Sequence, residues 1–152
     1  SFQYSIMKFK NILFFFFLIF LSSCLNENEV NNIIISSDDY MRFDTRKITV
    51  KSEKLVKLTL NHTGVLDAKV MGHNFVLLKK NVDVMDFANR AALASENEYI
   101  PIDSDEVIVY TEMIGGGQVT SIEFLPPEIG VYDFICSFPG HYAMMRGKFI
   151  VE

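Results

Sequence analysis

The apolar residues of this chain fall into two unlike patterns. Ile12 to Leu21 is one unbroken apolar run, closed by Ser22, Ser23 and a largely polar stretch from Asn26 to Asn32. From about Ile33 the run gives way to alternation. Met41 and Phe43 alternate with Tyr40, Arg42 and Asp44, and Val56, Leu58 and Leu60 alternate with Lys57, Thr59 and Asn61, the period-2 signature of half-buried strands. Further β-like runs cover Asn74 to Lys79, Val107 to Met113, Thr120 to Leu125, Gly130 to Cys136 and Lys148 to Val151. Only Val82 to Ser95 departs from this rhythm: Val82, Met85, Ala88 or Arg90, Ala92 and Leu93 recur at helical spacing. Many short strands with one helical insertion around residues 82–95 predict an all-β fold, a Greek-key β-sandwich. Gly115-Gly116-Gly117 predicts a hairpin turn, since no Lys-Ser or Lys-Thr follows as a phosphate loop requires. Pro126-Pro127 and Gly130 predict a second turn.

Length and composition set the boundaries. At 152 residues the chain makes one ordinary domain, large enough to bury a stable core without metal or disulfide staples. Seven of its 14 Phe precede Cys24, so the apolar excess is mostly N-terminal. Met7 as the true start, the basic Lys8 and Lys10, and a ten-residue apolar run read as an export signal over residues 1–23. The run is too short to span a bilayer, which takes about 20 apolar residues. Leu21-Ser22-Ser23-Cys24 resembles a lipobox, in which the cysteine is lipidated and becomes the first residue of the mature protein. Residues 24–32 are then a lipidated tether and 33–152 the folded domain. The expected location is the periplasmic or cell-envelope side of a membrane. The seven residues 24–30 reach roughly 20 Å when extended.

Removing residues 1–23 takes away two lysines and no acids, leaving 12 basic against 19 acidic residues and a net charge of −7. An acidic domain argues against nucleic acid as a partner, because a phosphate binder needs a basic face. Cys24 and Cys136 are the chain's two cysteines. If Cys24 carries lipid, Cys136 stands alone in an oxidising compartment, where a metal-binding role would explain a lone thiol.

That role has a setting. Cys136-Ser137-Phe138-Pro139-Gly140-His141-Tyr142-Ala143-Met144-Met145 places a thiolate, an imidazole and a thioether in one ten-residue loop. A type 1 copper site takes two imidazoles and a thiolate with a weak axial thioether. His73, just before a strand, can supply the second imidazole. Taken singly, Cys136 can be a buried hydrophobe, His141 a surface residue and Met144 or Met145 core fillers. Together, at C-x4-H-x3-M spacing with a second histidine upstream, these donors point to one bound metal. Structural zinc normally uses harder four-ligand sets without a thioether.

Met71-Gly72-His73-Asn74 and Cys136-Ser137-Phe138-Pro139-Gly140-His141 with Met145 resemble the two copper-binding segments of the azurins, within the cupredoxins. Met41-x-Phe43, Asn61-His62-x-Gly64 and Met113-Ile114-Gly115-x-Gly117 extend the similarity from about Ile33 to the last residue. The resemblance implies a cupredoxin-like sandwich with His73, Cys136 and His141 as strong copper ligands. It also implies Met145, rather than Met144, as the distant axial ligand and the Gly72 carbonyl on the opposite side. The amides of Asn74 and Phe138 are implied as donors to the Cys136 sulfur. An apolar docking face around His141 is implied at Met41, Leu66, Val70, Met71, Phe138, Pro139 and Met144. His62 matches a non-ligand position near the site. Asn31 and Glu53 replace the cysteines of the family's N-terminal disulfide, and Phe75 stands where a core Trp is often found.

The function so implied is that of an electron carrier, not an enzyme. It shuttles one electron through Cu(I)/Cu(II) between redox proteins such as c-type cytochromes, anchored to a membrane and acting on no small-molecule substrate. A copper storage or delivery protein is the alternative.

Overall fold

The computed structural model describes residues 29–152. The export signal expected over 1–23, Cys24 and most of the tether lie outside the described residues.

Nine strands form two sheets. They are β1 (Asn31–Asp38), β2 (Arg42–Phe43), β3 (Lys47–Val50), β4 (Val56–His62), β5 (Val76–Leu78), β6 (Val107–Tyr110), β7 (Val119–Phe124), β8 (Gly130–Ile135) and β9 (Arg146–Val151). One sheet runs β2-β1-β4-β7 and the other β3-β9-β8-β5-β6. β1 lies parallel to β4 and β3 parallel to β9, the other pairs being antiparallel. This is the expected all-β sandwich.

Period-2 alternation explains the layering. On β4, Val56, Leu58 and Leu60 face inward and are fully buried, and the same row ends on His62, also buried. On β8, Tyr132 and Phe134 face inward, so Cys136, the next residue in the row, points into the same core. Ile135 faces the other way. It joins Val76, Leu78, Phe87, Ala88, Ala91 and Ile100 in a second apolar cluster on the outer face of that sheet.

The second cluster accounts for the helical insertion. Helix α1 is a single turn, Ala68–Met71, and α2 is Val84–Ala91. The Asp83 side chain caps α2 by accepting from the Met85 and Asp86 amides at 3.0 Å each. With the helix starting there, Phe87, Ala88 and Ala91 form its buried face, Phe87 alone contributing about 1.5–3 kcal/mol. Met85 and Leu93, expected on the apolar stripe, are exposed instead.

Three further expectations are corrected. Residues 82–95 hold the longest helix, but α1 and 3₁₀ turns at Ser95–Asn97 and His141–Ala143 also exist. β6 stops at Tyr110, short of Met113, because the Thr111 hydroxyl accepts from the Phe75 amide at 2.9 Å in place of a ladder bond. The Gly115–Gln118 turn does form, closed by the Gln118 amide on the Gly115 carbonyl at 3.1 Å, with Gly117 at φ 77°. It precedes β7, which pairs in the opposite sheet from β6, so it is a crossover and not a hairpin.

Candidate metal centre

Two chain segments meet at one end of the sandwich. His73 follows α1 and is fixed by a reciprocal bridge to Ile114, with both N–H···O bonds at 2.9 Å. Cys136 follows β8, and its amide donates to the Met145 carbonyl at 2.9 Å, continuing the β8–β9 ladder. The loop between them is tightly wound. The His141 amide donates to the Phe138 carbonyl at 3.0 Å across Pro139 and Gly140. Gly140, at φ 79° and ψ −13°, takes the left-handed position that such a turn reserves for glycine. Met145 closes the next turn by donating its amide to the His141 carbonyl at 2.8 Å.

These turns bring three donor side chains together. Cys136 Sγ lies 3.9 Å from His73 Nδ1 and 3.7 Å from His141 Nδ1, and the three donor atoms fall within 4.8 Å of one another. Cys136, His73 and Met145 are fully buried and His141 is 3% exposed. Met144, the neighbour of Met145, is 50% exposed and turned to solvent. The Gly72 carbonyl is 3.8 Å from Sγ.

Electrostatics suit a cation. Burial pushes the Cys136 thiol up to about 12, against which the amides of Asn74 and Phe138 donate toward the sulfur. Burial also holds both imidazoles below their ordinary value, His141 down to about 4, helped by the neighbouring His73 and His62. His73 Nε2 donates to the Asp38 carbonyl at 2.8 Å, which leaves Nδ1 as a bare lone pair facing the sulfur. Sγ, His73 Nδ1 and the Gly72 carbonyl then converge with a single thiol proton among them. A soft or borderline metal ion satisfies that excess of acceptors, and the N, S, N set with a buried thioether fits copper.

Sequence reasoning missed several supports. The Asn74 side chain, not only its amide, ties the two segments. Its Oδ1 accepts from the Ser137 amide at 2.9 Å and from the Ser137 hydroxyl at 3.3 Å, and its Nδ2 meets Ser137 Oγ at 2.9 Å. His62 stacks on His73 with ring centroids 4.3 Å apart, its Nε2 donating to the Met71 carbonyl at 2.9 Å and its Nδ1 accepting from the Gly64 amide at 3.1 Å. With both ring nitrogens bonded, His62 is a satisfied buried histidine. Phe138 packs on His141 at 4.6 Å, and Tyr99 packs on Phe138 at 5.2 Å. Gly72 is glycine for want of room: a Cβ there would meet the Ala68 carbonyl, Met113 Sδ at 2.9 Å and Phe138 Cδ2 at 3.0 Å.

Of the expected docking positions, Met41, Leu66, Val70, Pro139 and Met144 are exposed, and Met71 and Phe138 are partly so. None belongs to the buried core.

Residues 30–152 match the family described as copper binding proteins, plastocyanin/azurin family. Azurin-1 of Alcaligenes xylosoxydans xylosoxydans is 40% identical over 121 residues, covering 76% of this chain and 93% of that protein. Outer membrane protein H.8 of Neisseria gonorrhoeae is 38% identical over 117 residues, covering 75% of this chain and 63% of its own length. Among solved structures, an azurin (Az-iso2) from Methylomonas sp. strain J aligns with a TM-score of 0.73 at 35% identity, covering 80% of this chain and 98% of its own.

Proposed function

The chain belongs to the plastocyanin/azurin family of copper binding proteins, and from that premise we propose that it is a membrane-anchored one-electron carrier working through a type 1 copper centre. The observation that carries the proposal is the buried triangle of Cys136 Sγ, His73 Nδ1 and His141 Nδ1, with contacts of 3.9 and 3.7 Å to the sulfur. Bound copper supplies a Cu(I)/Cu(II) couple. Cys136, His73 and His141 would hold the copper strongly and Met145 weakly, with the Gly72 carbonyl beside the site, 3.8 Å from the sulfur.

The surrounding residues keep that couple fast and reversible. The Asn74–Ser137 clamp and the Cys136–Met145 ladder bond hold both ligand segments in one geometry, so little rearrangement accompanies a change of charge. The Asn74 and Phe138 amides stabilise charge on the sulfur. Burial excludes water. Of the three, His141 alone retains any exposure, at 3%, and Met41, Leu66, Val70, Met71, Pro139 and Met144 are the proposed apolar rim around it. Such a small apolar rim lets a redox partner dock closely and leave quickly. Partners are redox proteins such as c-type cytochromes, and the protein carries electrons rather than catalysing a reaction.

Cys24 is the proposed lipidation site, after an export signal over 1–23, which places the domain on the cell-envelope side. Its lipobox-like context supports this, as does a relative whose name places it in an outer membrane. A spectroelectrochemical titration tests the carrier reading. The expected result is a reversible one-electron couple whose visible band disappears on reduction while the metal stays bound. Rapid loss of Cu(I) to a competing chelator would instead mark a storage or delivery protein.

A further inference from the structure

The sandwich has two unlike ends, and the chain enters the described domain at the end opposite the metal centre. β1 starts at Asn31, paired with Val56, and finishes at Asp38, whose carbonyl meets His73. Seven residue steps of about 3.3 Å separate these ends by roughly 23 Å. β8 covers a similar path, from Gly130 to Ile135 just before Cys136.

The far end consists of the 51–55 turn and the 125–129 loop, and the start of β1 is fastened to it. Asn31 Nδ2 donates to the Lys51 and Lys54 carbonyls at 3.0 and 3.2 Å, and its Oδ1 accepts from the Lys51 amide at 3.1 Å. Glu29 pairs with Lys51 and Lys54 at 3.7 and 3.3 Å. Beside this anchorage an open groove is lined by Ser52, Glu53 and the loop from Leu125 to Ile129. Leu125 is 68% exposed and Ile129 66%, with Pro126 and Pro127 between them. Lys51, Lys54 and Lys80 are interleaved here with Glu29, Glu53, Glu128 and Glu152, so cations stand among the acids at this end.

We infer that this end is the membrane-facing surface of the domain. Leu125, Pro126, Pro127 and Ile129 rest in the headgroup region of a phospholipid bilayer, and the His141 end stands away from it. The inference rests on the proposed lipidation of Cys24. Five residue steps separate Cys24 from Glu29, so the tether reaches at most about 17 Å. That is shorter than the span of β1. A lipid at Cys24 therefore holds the 125–129 end near the bilayer, and inverting the domain would require the tether to traverse the full length of β1. A partner must then reach His141 from the aqueous side, either as a soluble protein or through a domain standing clear of the membrane.

The chain contains no tryptophan, so single Ile129→Trp and Val65→Trp variants of the full lipidated protein report on the two ends. Val65 is 87% exposed and close to the metal end, its amide donating to Asp39. In phosphatidylcholine vesicles brominated on the acyl chains, Ile129→Trp should lose about half of its emission relative to unbrominated vesicles, because an interfacial apolar side chain lies roughly 5–10 Å into the headgroup boundary. Val65→Trp should be unaffected. Quenching of Val65→Trp, or of neither variant, overturns the inference. Mass spectrometry of the mature N-terminus separates the two ways of failing. If Cys24 carries no acyl chain, the lipidation reading fails. If Cys24 is acylated while Ile129→Trp goes unquenched, anchoring stands and only the orientation falls.

Discussion

The imidazole of His73 is held from behind by the backbone of Asp38, Nε2 to carbonyl oxygen at 2.8 Å. Among the described residues His141 has no such partner on Nε2, and it is the imidazole that reaches the surface, at 3% exposure. One histidine is locked and the other is left facing outward. The ring N–H of His73 should therefore exchange with solvent about 10² times more slowly than that of His141. Histidine-selective NMR of the reduced protein measures both rates, and equal rates would remove the distinction.

Asn74→Leu removes the clamp between the two ligand segments while keeping the side chain's approximate volume. Ser137 then loses both bonds to the Asn74 carbonyl oxygen. Denaturant unfolding of the metal-free protein should show a loss of about 1–3 kcal/mol. The reduction potential of the copper-loaded variant should also move, because the loop carrying Cys136 is no longer tied to that of His73.

Stability of the metal-free protein should fall on the acid side of neutrality. Burial depresses both His73 and His141 below 6.5, the latter to about 4, so the folded state favours neutral rings. A depressed folded value means that this stability is complete above about pH 6.5 and is lost as pH falls through about 4. Unfolding curves across that window should show the decline without metal. With copper loaded the decline should begin at lower pH, because the ring nitrogens are then engaged.

Met144 is half exposed beside His141 and turned away from the ligand set. Met144→Lys should leave the visible spectrum intact and slow electron self-exchange by at least about tenfold. Two copies docking through their His141 faces would bring like charges together at a cost of several kcal/mol. A shifted spectrum would show instead that Met144 touches the metal.

Much of this architecture is legible in the chain because it is periodic or local. The alternation over Val56–Leu60 sets the inward row, and it carries on to bury His62. Cys136, His141 and Met145 declare themselves by type and spacing within one loop. His73 lies 63 residues from Cys136; its place just before a strand makes it a candidate for the second imidazole, and its resemblance to a known motif implies it as a ligand. The Asp38 carbonyl could not be found at all, since every residue carries a backbone oxygen and nothing in its side chain marks the one that will face a ring nitrogen. The Asn74 clamp is similar, depending on a long-range meeting with Ser137. The apolar stripe of α2 is less legible, because Phe87, Ala88 and Ala91 face the second cluster while Met85 stays exposed.

The central claim is that Cys136 supplies the thiolate of a type 1 copper centre. The optical spectrum of the copper-loaded protein beside its Cys136→Ser variant tests it most directly. The wild-type chain should show the intense blue thiolate-to-copper band. The variant should lose that band entirely while keeping the far-ultraviolet circular dichroism of the sandwich. A blue band that survives in the variant, or a wild-type protein that binds copper without colour, would contradict the account.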